Sequence, residues 1–86
     1  MTKLTAMMNI GREMERKLTA VGISSAEELM ALGAEEAFRR LKGAYPGVCL
    51  VHLYALEGAV SQTEYNGLSA DRKRALRAFS ETLGGE

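Results

Sequence analysis

Residues 48–60 read Val-Cys-Leu-Val-His-Leu-Tyr-Ala-Leu-Glu-Gly-Ala-Val, with Glu57 their only charge. The segment shows none of the period-2 alternation of a half-buried strand. A helix that is apolar nearly all round is buried on most sides, so this is read as the central helix. Ala55, Gly58 and Ala59 are small enough to let a neighbouring helix approach closely. Pro46, just ahead, fits the first turn of the same helix, where its missing N–H costs nothing.

Working outward, glycines cut the rest of the chain into short blocks of helical periodicity. Ala34 to about Tyr45 is a helix with Ala37, Phe38 and Leu41 facing the core. Glu35 and Glu36 suit its positive end, and Arg39, Arg40 and Lys42 its negative half. A shorter helix starts at Ser24 or Ser25 and ends at Gly33, with apolar contacts from Leu29, Met30 and Leu32. Ser24-Ser25-Ala26-Glu27 reads as a capping box in which Glu27 reaches back. The first regular helix runs from about Gly11 to Val21. Met14, Leu18 and Val21 share its buried face, and Gly22 stops it. Leu4 and Met7 supply a short turn of helix before that. Downstream, Asn66-Gly67 is a turn signal, and Ser69 caps a last helix from about Ala70 to Leu83. Residues 83–86 read as a frayed tail.

The expected fold is therefore an all-α domain of five helices, with a short extra one at the N-terminus, spanning residues 1–86. Connections this short favour steep helix crossings over a long bundle. Eleven Lys and Arg balance eleven Asp and Glu. That argues against a strongly basic nucleic-acid module or a polybasic membrane binder, and leaves room for a local basic face. No apolar run of about 18 residues is present to span a membrane. The N-terminus lacks a signal peptide's apolar stretch. The single Cys49 permits no internal disulfide and no cysteine zinc cage. Together these point to the cytoplasm. Folding at this size hides only roughly 60% of the unfolded surface, so homodimerisation would add burial.

Catalytic chemistry has little to stand on. Cys49 and His52 share a helical face at i, i+3, but their apolar context reads as packed interior rather than a nucleophile pair. No further ligands stand at metal-binding spacing near them. Glu27-Glu28 and Glu35-Glu36 sit in first helical turns, where acids serve capping and the dipole. The expectation is no enzyme, no metal and no cofactor.

Two basic features remain. In the N-terminal segment an apolar stretch, then Asn9-Ile10-Gly11, then an amphipathic helix resembles the hairpin of helix-hairpin-helix motifs. There the glycine lets the backbone approach a phosphate, which free amides at the helix start then hold. Asn9, Ile10, Gly11, Arg12 and Lys17 are the candidate nucleic-acid contacts, with Glu13 and Glu15 as opposing charges. The last helix carries Arg72, Lys73, Arg74 and Arg77, which read as a solvated face. No aromatic residue interleaves them in sequence, against a single-strand stacking surface. Tyr45 and Tyr54 lie in apolar stretches and read as core or interface residues.

Four pieces, in order and spacing, are similar to the C-terminal domain of the TfoX/Sxy family, regulators of DNA transformation (competence). They are Asn9-Ile10-Gly11, Leu18 to Ile23, Leu32-Gly33-Ala34, and Leu53-Tyr54-Ala55-Leu56-Glu57-Gly58-Ala59. The resemblance implies a helical domain related to helix-hairpin-helix and SAM-like folds, with a regulatory role and no catalytic residues to carry over. Met8 and Arg12 replace prolines that flank Asn-Ile-Gly in the family, which implies a looser hairpin. The N-terminal domain of full-length members has no counterpart here. Two functions follow as expectations. One is a regulatory domain engaging nucleic acid or a transcription-related protein through residues 9–17. The other is a protein-interaction module, including a homodimer, that touches no nucleic acid.

Overall fold

The computed structural model describes residues 2–63 and 67–84. A single 3-10 turn at Leu4–Ala6 leads to α1 (Arg12–Ala20), α2 (Ala26–Leu32), α3 (Ala34–Ala44), α4 (Leu50–Ser61) and α5 (Ala70–Gly84). There is no strand among the described residues. This is the expected all-α architecture, with the extra N-terminal turn. Tyr65, Asn66 and the end of the tail lie outside the described residues.

α4 packs on α3 and α5, and α3 in turn meets α1, α2 and α5. Leu53, Leu56 and Ala59 of α4 join Phe38 and Leu41 of α3, Leu18 of α1, Leu29 of α2 and Leu76 of α5 in one buried cluster. Leu4 and Ile10 close it from the N-terminal side. The radius of gyration, 11.8 Å, matches the ~12 Å of a compact chain this long. α1 and α2 are separated by Gly22 at φ +90°, and α2 and α3 by Gly33 at φ +92°. Both turns need the left-handed region that glycine enters without strain.

Three local details depart from the expectation. Pro46 is not in α4: Val48 N–H donates to Tyr45 O at 2.9 Å, and α4 starts only at Leu50. Pro46 is the second residue of that turn, a position for which its fixed φ is preset. Secondly, Glu28 rather than Glu27 reaches back from α2. Its Oε1 accepts from Ser24 N–H at 2.7 Å, while Ser25 Oγ caps Glu28 N–H at 3.1 Å. Glu27 turns instead to Thr2, accepting from its N–H at 3.0 Å and its hydroxyl at 2.8 Å. Thirdly, two apolar residues read as buried are exposed: Met30 at 46% and Val51 at 56%. α4 is covered on the side where α3 and α5 pack on it and open along Val51.

Candidate nucleic-acid interface

The hairpin is built by one left-handed residue. Asn9 has φ +72°, a region asparagine tolerates better than other non-glycine residues. Its side chain points inward: Nδ2 donates to Thr63 O at 3.1 Å, past the end of α4, with Ala55 O at 3.5 Å. Ile10 is buried in the core. The Asn9 amide and the Ile10 side chain are thus engaged within the fold. Both serve to fix the entry into α1.

Gly11, Arg12 and Lys17 are placed together. They line an open cavity of about 340 Å³ with Glu13, Met14 and His52. Gly11 is the N-cap of α1 and carries no side chain to cap it. The first α-helical hydrogen bond there joins Glu15 N–H to Gly11 O at 2.9 Å. The amides of Arg12, Glu13 and Met14 thus have no acceptor within the helix. Arg12 is exposed and is in no ion pair among the described residues. The Lys17 ammonium lies 5.5 Å from the centre of the Tyr45 ring, a cation–π distance that holds it in place. Glu13 is engaged by Arg16, whose hydrogen bond holds the Glu13 carboxyl below its ordinary range. This pairing offsets the acid nearest the free amides.

His52 is the cavity residue that sequence spacing could not supply, since it comes from α4. Its apolar sequence context, like that of Cys49, reads as packed interior, and the structure corrects this. Cys49 is exposed as the N-cap of α4. Cys49 N–H donates to His52 Nδ1 at 3.0 Å, and the sulfur lies 3.5 Å from the same nitrogen. A ring nitrogen that accepts from a backbone amide is occupied as a cap. The pair closes a helix end, using the reciprocal geometry that serine and glutamate give elsewhere. No cluster of three or more His, Cys, Asp or Glu among the described residues could hold a metal ion.

The α5 strip is not one surface. Arg72 turns inward to grip Glu57 of α4 with two hydrogen bonds of 3.0 Å, and has Glu35 of α3 at 3.8 Å. Glu57, the lone charge of the central segment, is thereby paired with its side chain 16% exposed. A bidentate arginine–carboxylate pair of this kind fixes orientation as well as charge.

The model of the TfoX C-terminal domain family matches residues 1–80. The chain belongs to that family. The TfoX C-terminal domain is a regulatory type of domain and not a known enzyme family. The chain is 38% identical to an uncharacterised protein of Listeria monocytogenes solved in a triclinic crystal form. The match covers 99% of this chain and 97% of that one, with a TM-score of 0.94. A Listeria monocytogenes protein of unknown function, in a tetragonal form, is 39% identical over 93% of this chain and 99% of its own, with a TM-score of 0.90. Among curated proteins nothing matches. No helix among the described residues of this TfoX C-terminal domain is long and apolar enough to cross a membrane.

Proposed function

We propose that the chain is a non-catalytic, cytoplasmic regulatory domain of the DNA-transformation type that contacts nucleic-acid phosphates at the start of α1. The observation that carries this reading is the convergence of Gly11, Arg12, Lys17 and His52 on one open cavity at an uncapped helix start. Backbone amides aimed outward beside two cations suit a phosphate, and they read no bases. Zero formal net charge and few cations make the contact weak, tolerant of sequence, and shallow in salt dependence. Fluorescence anisotropy of labelled duplex DNA across a salt series tests it, with Arg12→Glu as control. Binding that weakens with salt and disappears in Arg12→Glu is the expected result. Absence of binding at low salt, where such contacts are strongest, would sink the reading.

A groove of about 370 Å³ favours the second reading, a self-pairing interaction module. Met7, Met8 and Met30 line it, and Met8 is 43% exposed. Methionines adapt to varied partners. A sedimentation mass of one chain at micromolar concentration would remove the self-pairing form.

A further inference from the structure

The basic side of α5 lacks an aromatic residue in sequence, and α4 provides one. Tyr54 lines an open cavity of about 280 Å³ with Ala70, Lys73, Arg74 and Arg77. The Lys73 ammonium lies 5.8 Å from the centre of the Tyr54 ring, and the Tyr54 hydroxyl donates to Lys73 O at 3.4 Å. The tyrosine read as core or interface is therefore the floor of a cationic pocket. Its charges are only partly met. Arg74 pairs with Asp71 at 2.8 Å, whereas Lys73 and Arg77 are in no ion pair among the described residues. Lys73 and Arg77 stand at i, i+4, where like charges destabilise a helix. An anion between them relieves that repulsion.

The pocket also has a place relative to the hairpin cavity. His52 lines one and Tyr54 the other. Two residues apart at 3.6 per turn, they lie on opposite flanks of the open ridge at Val51. The flanks of one helix are about 10–12 Å apart. Each strand of duplex DNA carries a charge per ~3.4 Å of the axis, so a backbone lying over Val51 offers phosphates to both.

We infer that Tyr54, Lys73, Arg74 and Arg77 form a second site for nucleic-acid backbone phosphates, across α4 from the hairpin. The inference rests on the nucleic-acid reading above but not on the hairpin contact itself. Arg74 can exchange Asp71 for a phosphate without moving its backbone, and the Tyr54 ring keeps the Lys73 stem extended toward the pocket.

The test is anisotropy of a labelled duplex oligonucleotide with the full chain across a salt series. One arm is the double variant Lys73→Gln, Arg77→Gln, a second is Arg12→Gln, and circular dichroism checks that both fold. Each cation meeting a duplex phosphate adds about 0.9 to the slope of log affinity against log salt. The α5 variant removes two such cations and is expected to lower that slope by roughly 1.8, with loss of low-salt affinity. If it lowers the slope while Arg12→Gln does not, the α5 site stands and the hairpin contact falls. If Arg12→Gln alone lowers it, the α5 site is overturned and the hairpin reading survives. No binding by the wild-type chain at low salt overturns both.

Discussion

Asn9 ties the start of the chain to the far end of its central helix. Its Nδ2 donates to the carbonyl of Thr63 at 3.1 Å, while its own backbone sits at φ +72°. Thr63 follows Gln62, the other non-glycine residue at positive φ among those described, at +60°. One side chain thus joins the left-handed turn at Asn9 to the residue that follows the left-handed Gln62, more than fifty positions away. The link decides how the hairpin is presented, because the backbone that turns at Asn9 continues into Gly11 and Arg12.

Replacing Asn9 separates the strain from the tie. Asn9→Gly keeps the left-handed turn and loses the hydrogen bond, for a cost of about 1 kcal/mol. Asn9→Ala loses the same bond and keeps a Cβ in that region without the tolerance asparagine has there, adding about 1–2 kcal/mol. Urea unfolding midpoints should fall in the order wild type, Asn9→Gly, Asn9→Ala. Equal midpoints for the two variants would contradict the left-handed assignment.

Gln62 is a stabilisation target. At the end of α4, Thr63 N–H donates to Gly58 O at 2.7 Å and Gln62 N–H to Ala59 O at 3.3 Å, the pattern that usually carries glycine at the left-handed position. Gln62→Gly should raise stability by about 1 kcal/mol. A thermal melt shows it as a higher midpoint, and a lower one would mean that the Gln62 side chain contributes more than its backbone costs.

Acid should weaken the α2 end of the molecule. Hydrogen bonds from Thr2 hold the Glu27 carboxyl below its ordinary value of 4.5, and hydrogen bonds from Ser24 do the same for Glu28. A depressed carboxylate contributes stability above its unfolded pKa and loses it as pH falls through the folded one. Stability should therefore be flat near neutrality and decline below about pH 4.5. Glu28→Gln should flatten part of that decline in chemical denaturation run from about pH 7 to about pH 3.

Cys49 should react in the folded state. It is exposed at the start of α4, so a thiol reagent should label it without denaturant, at a rate close to that in urea. A serine caps a helix better than a thiol does, and Cys49→Ser should match or exceed wild-type stability by up to about 1 kcal/mol. Labelling that needs unfolding would place Cys49 in the interior instead.

Local pattern made most of the scaffold legible. Glycines at 22 and 33 mark helix ends because only a left-handed residue lets the chain turn there. The apolar spacing of Ala37, Phe38 and Leu41 named the buried face of α3, and all three are fully buried. Such features depend on neighbours within one or two turns, which is the range over which a sequence is read directly. Whether Asn9 faces a ligand or a carbonyl is set by Thr63, which no local rule connects to it. Met30 and Val51 have the residue type of a core and lie on its outside, because burial depends on which side of the helix the other helices reach. The same holds for the sites. Gly11, Arg12 and Lys17 are neighbours along one helix and were legible together, whereas His52 joins them only through packing. Tyr54 and the α5 cations are likewise joined by the α4–α5 contact alone. Sequence determined the helices, their ends and most of their buried faces, since hydrogen bonding and periodicity act locally. Tertiary structure decided which charges are paired, which tyrosine faces cations and which glutamate caps which helix, since those depend on distances between segments that the chain order leaves open.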